Sequence, residues 1–166
     1  MNYDIYLQAF QSALANIDSA KFNSQNIQLF TGIVLESVAL KAYKPEWSGD
    51  PKNALTADSR IFFSVWVSDK TIKENRLYYN IHALRLRQLK GYAITSREFA
   101  ERFRKQFKPH LKEWDNVSIN YGPLTLMEGW KELQHETLST DIATLADRFY
   151  TIAPIIDTML RHYKVS

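Results

Sequence analysis

The apolar residues near the start of the chain recur at a helical spacing. Seven of them gather on one face of a helix, while Gln8, Ser12 and Asn16 fall on the opposite face. The apolar positions are Tyr3, Tyr6, Leu7, Phe10, Ala13, Leu14 and Ile17. This pattern predicts an amphipathic helix that ends near Ala20, before a polar linker at residues 23–26.

Stretches rich in β-branched and aromatic residues predict the strands. They run from Ile27 to Leu35, with an extension towards Tyr43, from Arg60 to Val67, and from Arg76 to about Leu86. The last two flank a charged connection and predict an antiparallel hairpin. A shorter alternation at Val117–Tyr121, followed by Leu124–Leu126 after a Gly-Pro turn, predicts a further pair of short strands.

A helix start is specified in detail near residue 95. Thr95 as N-cap with Glu98 three positions later matches a capping box, and Ile94 with Phe99 matches a hydrophobic staple. Pro109 is expected to end this helix or to restart it as a separate turn. The apolar stripe that follows consists of Phe99, Ala100, Phe103, Phe107, Leu111 and Trp114.

The C-terminal segment Ser139–Tyr163 has the pattern of a long amphipathic helix with Pro154 on its polar side. Helices and strands do not alternate along the chain as they do in a parallel sheet. We therefore predict one α+β domain over residues 1–166. It has an antiparallel sheet of four to five strands, with N-terminal, central and C-terminal amphipathic helices packed on one face.

Strand alternation gives the predicted sheet a second face of mixed character. That face carries Gln28, Phe30, Val34, Glu36, Phe62, Ser64, Trp66, Ser68, Tyr78, Asn80, His82, Ser118 and Asn120. Aromatic bodies separated by polar atoms are typical of a ligand pocket or of a platform on which bases stack. The alternative is that the turn-rich segment 44–59, or a second copy of the chain, covers this face.

Positive charge is concentrated in one part of the chain. Residues 82–112 hold nine of the 21 Lys and Arg but only two of the 18 Asp and Glu, although the net charge is only +3. Arg85 and Arg87 share one face if their strand continues, and a helix face adds Arg97, Arg104 and Lys108. These cations suit a phosphate-bearing or acidic partner, although a basic helix face is also an ordinary solvated surface.

Several classes of protein lack their usual signals in this sequence. The chain has no cysteine, no nucleotide-binding or esterase motif and no apolar run long enough to cross a membrane. The four histidines lack zinc-site spacing, and the carboxylates lack the pairing of a metal-dependent nuclease. We expect a cytoplasmic protein and assign no catalytic residue, metal ligand or cofactor.

The leading hypothesis is a small non-catalytic module that binds an anionic partner, either nucleic acid or an acidic protein, through the mixed sheet face and a basic rim. The predicted binding residues are Phe62, Trp66, Tyr78, Asn80, His82, Arg85, Arg87, Arg97, Arg104 and Lys108. One alternative is a small-molecule pocket around Trp66, Tyr78 and His82 that the segment 44–59 encloses. The other is a homodimer that uses the same face.

Overall fold

The computed structural model describes residues 2–165, which form five α-helices and five β-strands. The helices are α1 (Tyr3–Asn16), α2 (Ser19–Ser24), α3 (Asp69–Lys73), α4 (Ser96–Phe107) and α5 (Leu138–Tyr163). The strands are β1 (Gln28–Val34), β2 (Ser37–Tyr43), β3 (Arg60–Ser68), β4 (Arg76–Leu84) and β5 (Thr125–Glu132). The predicted α+β class is confirmed.

The strands form one antiparallel sheet in the order β1-β2-β3-β4-β5, so each strand pairs with its neighbour in sequence. The predicted hairpin of β3 and β4 is confirmed, with the short helix α3 in its connection. The connection between β1 and β2 is a two-residue turn, whereas residues 44–59 join β2 to β3 and residues 85–124, which include α4, join β4 to β5.

The first predicted strand proves to be two strands. The continuous run expected from Ile27 towards Tyr43 folds back at the two-residue turn Leu35–Glu36, because Val34 pairs with Ser37. Leu35 adopts a left-handed conformation with φ 55°. Such turns usually contain glycine or asparagine, so a turn built on leucine gives no sequence signal.

The strand predicted at Val117–Tyr121 was wrong. Only Ser118 pairs with the sheet there, through backbone hydrogen bonds of 2.8 and 3.0 Å with Glu128. The strand at this edge of the sheet is β5, and the sequence predicted only its beginning, as part of Leu124–Leu126. Arg104 explains why no strand forms at residues 117–121. Its guanidinium donates hydrogen bonds to the backbone carbonyls of Tyr121 and Gly122, which take the place of hydrogen bonds from a neighbouring strand.

The hydrophobic core lies between the sheet and α1, α4 and α5, as predicted for three helices on one face. Phe63 of β3 stacks on Phe149 of α5 with ring centroids 4.7 Å apart. Trp114 lies against Phe63 and Phe107, so the stripe of α4 joins the same core. The packed helices therefore cover one face of the sheet.

The start of α4 is correct, but its predicted cap is not formed. Thr95 is the N-cap residue and makes no side-chain cap hydrogen bond. Glu98 instead accepts a 3.1 Å hydrogen bond from the Tyr163 hydroxyl and forms a 3.3 Å ion pair with Arg102. Tyr163 on α5 and Arg102 one turn further along α4 thus take the Glu98 carboxylate in place of the capping box. α4 still ends before Pro109, where a 3-10 helix follows.

The N-terminal helix also ends earlier than predicted. α1 stops at Asn16, and α2 begins after Asp18, whose side chain accepts a 3.2 Å hydrogen bond from the Lys21 amide. Pro154 lies on the exposed side of α5, as predicted. Within residues 2–165, every helix is too short or too polar to span a bilayer.

The segment 44–59 packs against α5 and not over the second sheet face. Trp47 is fully buried, its ring lies 6.0 Å from that of Phe149, and its indole donates a 2.8 Å hydrogen bond to Asp157. Lys44 forms a 2.8 Å ion pair with the other oxygen of Asp157. The expectation that this segment covers or encloses the mixed face is therefore wrong, because Trp47 packs on the helical side and no residue of the segment lines the open-face groove.

Candidate functional site

We call the side of the sheet away from the helices the open face. The register gives it Phe30, Lys41, Phe62, Ser64, Trp66, Tyr78, Asn80, His82, Glu128 and Trp130. The structure brings together five of the ten predicted binding residues there, on the two central strands: Phe62, Trp66, Tyr78, Asn80 and His82.

Cross-strand pairing arranges the open face in rows. The polar row consists of Lys41, Ser64, Asn80 and Glu128, which are direct neighbours across β2, β3, β4 and β5. On one side lies an aromatic row of Trp66, Tyr78 and Trp130, and on the other lie Phe62, His82 and Thr125. Polar atoms are thus held between taller ring-bearing side chains.

Three of the four residues of the polar row are buried although no helix of the described chain covers them. The exposed fraction is 8% for Lys41, 6% for Ser64 and 3% for Asn80. The flanking rings remove most of their contact with water. Lysine is rarely buried to this degree without a charged partner.

Lys41 has no such partner. Its Nζ makes no hydrogen bond or ion pair with any of residues 2–165 and lies 4.7 Å from the centroid of the Phe62 ring. The Arg60 guanidinium lies 5.0 Å from the same ring. Burial lowers the pKa of Lys41 and the charge of Arg60 lowers it further.

Asn80 organises the middle of the polar row. Its Nδ2 donates 3.0 Å hydrogen bonds to Glu128 Oε1 and to Nε2 of His82. Its Oδ1 is buried and has no hydrogen-bond partner among the residues that the structure describes. Buried carbonyl oxygens normally have a partner, so this acceptor is an exception among the buried polar groups.

The hydrogen bonds fix the tautomer of His82. Because Nε2 accepts from Asn80, the proton is on Nδ1, which donates to the Leu124 carbonyl at 3.3 Å. Both ring nitrogens are therefore occupied within the described chain. The ring also lies 5.3 Å from that of Phe62.

Burial is the largest influence on the pKa of His82 and lowers it. The positive charges of Lys41 and Arg60 act in the same direction, whereas the Leu124 carbonyl and Glu128 oppose them. A neutral imidazole at neutral pH agrees with the hydrogen-bonding pattern.

The aromatic row includes one further cation. The rings of Trp66 and Tyr78 lie 5.4 Å apart. The Arg76 guanidinium lies 3.9 Å from the Trp130 ring and donates a 3.3 Å hydrogen bond to the Tyr78 hydroxyl. Arg76 also lies 3.8 Å from Glu74, so its charge is partly satisfied.

A shallow groove of about 190 Å³ runs over the polar row and opens to solvent. It is lined by Val34, Leu35, Ser37, Ala39, Lys41, Phe62, Ser64, Trp66, Asn80 and His82. Leu35 stands at its mouth with 94% of its surface exposed. Ligand pockets for drug-sized molecules are several hundred Å³, so this groove fits a single ring and its substituent.

The predicted basic rim does not assemble beside this groove. β4 ends at Leu84, Arg85 turns the chain with φ 49°, and Arg87 lies in a 3-10 helix. The condition that Arg85 and Arg87 share a strand face is not met, because the strand stops before them.

The cations of α4 are also absent from the residues that line the groove. Arg97 and Lys108 are exposed on a helix that packs on the opposite side of the sheet. Arg104 donates 2.9 to 3.2 Å hydrogen bonds to four backbone carbonyls, those of Tyr121, Gly122, Thr125 and Leu126. Its guanidinium is structural, because it holds the loop before β5.

Sequence reasoning missed the open-face residues on β2 and β5. Lys41 alternates with Leu40 and Ala42 in a strand that the missing turn signal obscured. Glu128 and Trp130 belong to the part of β5 that was not predicted. The run from Ser37 to Tyr43 did contain one signal, a lysine inside an otherwise apolar strand.

A larger cavity of about 660 Å³ lies between α4 and α5. Its basic lining residues are Arg102, Lys105 and His162, of which the first two are exposed helix side chains and Arg102 is already paired with Glu98. We favour the open face in spite of its smaller volume, because its groove is lined by the buried polar side chains Lys41, Ser64 and Asn80.

Residues 2–165 contain no cluster of three or more His, Asp or Glu side chains that could hold a metal ion. The chemical groups that line the groove are the cationic Lys41 side chain, the polar side chains of Ser64, Asn80 and His82, and the rings of Phe62 and Trp66. Comparison of the chain with protein-family models, curated proteins and solved structures finds no match, so the site is interpreted from its own geometry.

Proposed function

We propose that the protein is a small non-catalytic binding module whose open-face groove takes an anionic ligand that carries a planar ring. The observation behind this proposal is Lys41, which is only 8% exposed, has its ammonium beside the Phe62 ring and makes no side-chain hydrogen bond or ion pair within the described chain. An anion in the groove would supply the missing partner.

Electrostatics favours an anion over a neutral ligand. A buried ammonium has lost much of its hydration, and attraction to an opposite charge is stronger in that environment than in water. Arg60 lies on the same ring of Phe62 and adds to the positive potential. The bound anion should therefore raise the lowered pKa of Lys41.

The aromatic side chains that flank the polar row are the reason for proposing a ligand with a planar ring. Trp66 lines the groove and remains half-buried, so part of its ring is available to a ligand, and Tyr78 lies beside it. Stacking of a base on an aromatic side chain contributes about 1–3 kcal/mol. The groove volume of about 190 Å³ leaves space for one ring at a time.

His82 supports a binding role over a catalytic one. Its Nε2 accepts from Asn80 and its Nδ1 donates to Leu124, so neither nitrogen is free to take a proton from a substrate. The histidine instead holds Asn80 in place within the polar row.

The anionic ligand has two sources with the same chemistry, a free ring-bearing anion and a nucleotide within single-stranded nucleic acid. Both offer a ring beside a negative group. An acidic protein surface offers carboxylates but few rings, so it uses less of the site. The cations for any of these partners are Lys41 and Arg60, not the rim predicted from the sequence.

The test measures binding of three probes by fluorescence or calorimetry: anilinonaphthalene sulfonate, adenosine monophosphate and a single-stranded oligonucleotide. We expect Lys41→Met to weaken binding by about tenfold or more and Trp66→Ala to weaken it as well. Lys108→Met is the matched control and should bind as the wild type does, because Lys108 lies away from the groove.

The outcomes separate the alternatives. Oligonucleotide binding that exceeds that of the monophosphate and falls steeply with salt identifies nucleic acid as the ligand class. Binding of the small anions alone identifies a small-molecule site. Equal binding by wild type and Lys41→Met, or no binding of any probe, refutes the proposal.

A further inference from the structure

The two edges of the sheet are protected to very different degrees. Beyond β5, Ser118 exchanges backbone hydrogen bonds with Glu128, and Asn116 Nδ2 donates a 3.0 Å hydrogen bond to the Trp130 carbonyl. β5 also carries Glu128, Lys131 and Glu132. Charges and added contacts of this kind block pairing with another chain.

β1, the other edge, has none of these features. Among residues 2–165, only β2 pairs with it. Its seven residues, QLFTGIV, include no charge and no proline, and its pairing with β2 continues without a bulge from Gln28 to Val34. An edge strand that is regular, uncharged and uncovered offers unpaired backbone N–H and C=O groups to a further strand.

Apolar side chains accompany the free backbone. Ile33 is 51% exposed, and Leu35 at the end of the strand is 94% exposed. Leu29, Thr31 and Ile33 alternate on the helical side of β1, so a strand added to the edge would extend the apolar surface there.

We propose that β1 pairs antiparallel with β1 of a second copy of this chain and joins two sheets into one of ten strands. Two-fold symmetry makes the strand its own partner, and the absence of charge from β1 removes like-charge repulsion from that pairing. Glu36 lies beyond one end of β1, and antiparallel pairing places it near the uncharged other end of the partner strand.

This dimer differs from the one expected on sequence grounds, which would have covered the open face. Edge pairing leaves both open-face grooves accessible and extends the surface across the junction. The inference rests on the strand edge alone and does not depend on the proposed ligand.

Sedimentation equilibrium of the full chain at micromolar concentrations tests the proposal. We expect a wild-type dimer and predict that Ile33→Lys raises its dissociation constant by about tenfold or more, because a charge is placed in the paired edge. Leu124→Lys is the matched control: Leu124 is also 51% exposed, lies at the opposite edge of the sheet and should leave the dimer unchanged.

A strictly monomeric wild type overturns the proposal, and so does an Ile33→Lys variant that dimerises as well as the wild type. Hydrogen exchange gives a second test that needs no substitution. The β1 amides that do not bond to β2 should become protected as the protein concentration rises, and exchange independent of concentration contradicts the pairing.

Discussion

The Lys41 ammonium lies 4.7 Å from the centroid of the Phe62 ring, in a side chain that is only 8% exposed. A cation–π contact of this kind contributes about 0.5–2 kcal/mol, depending on how far the cation is desolvated. It does not replace the hydrogen bonds that an ammonium makes in water. Lys41 is therefore held in the groove at a cost to folding stability.

That cost leads to the first prediction. Lys41→Met keeps the apolar stem and removes the charge, so the free energy of unfolding should rise by about 1 kcal/mol while probe binding is lost. Urea denaturation measures the change. Lys108→Met, at an exposed position, should alter stability by no more than about 0.5 kcal/mol. Marked destabilisation by Lys41→Met would mean that Lys41 supports the fold.

The second prediction concerns pH. The pKa of His82 is lowered in the folded protein, mainly by burial, so at pH values below the unfolded value of about 6.5 the unfolded chain binds more protons. The free energy of unfolding should therefore fall as the pH drops below about 6.5 towards the pKa of His82 in the folded protein. Above a pH of about 6.5, the stabilising contribution of neutral His82 should be complete. Denaturation curves at several pH values test this.

His82→Gln should make that dependence shallower, whereas His162→Gln, with an exposed side chain on α5, should leave it unchanged. A slope that His82→Gln does not alter would assign the pH dependence to other groups. A shallower slope in the control would contradict the prediction as well.

Two aspartates on α5 give the third prediction. Asp157→Ala leaves the Trp47 indole N–H and the 7% exposed Lys44 without their partner, so it should destabilise the protein by about 3 kcal/mol. Asp147→Ala removes an exposed ion pair with Lys21 and should cost less than about 1 kcal/mol. Equal losses in thermal or urea unfolding would show that Asp157 does not anchor the segment 44–59.

The fourth prediction compares two glycines. A Cβ on Gly129 would lie 2.6 Å from Cζ of Tyr79 and 2.9 Å from the Asp115 carbonyl oxygen, which accepts the Tyr79 hydroxyl hydrogen bond. Gly129→Ala should therefore destabilise the sheet by about 2 kcal/mol. Gly122→Ala meets nothing within 4 Å and should have little effect. The loss should be smaller when Tyr79→Leu, which lacks Cζ, is also present, and additive losses would contradict the contact.

Much of the architecture followed from local patterns. The apolar stripes of α1, α4 and α5 and the alternation in β3 and β4 were read correctly, because each depends on residues close in sequence. The same alternation correctly assigned Phe62, Trp66, Tyr78, Asn80 and His82 to one face.

The failures occurred where a structural choice depends on distant partners. Glu98 accepts a hydrogen bond from Tyr163 and does not cap the start of α4. The Arg104 guanidinium donates its hydrogen bonds to backbone carbonyls within residues 121–126. The basic rim therefore separated into structural and exposed residues. Leu35 was missed because a left-handed leucine carries no turn signal.

By itself, the sequence determined which face each well-patterned helix and strand buries, because hydrophobic periodicity is a local property. Only the tertiary structure decided which side chains form the polar row, because the register of β2 against β3 and of β5 against β4 places Lys41 and Glu128 in one row. It also decided that Lys41 is buried without a partner, since burial depends on rings contributed by neighbouring strands.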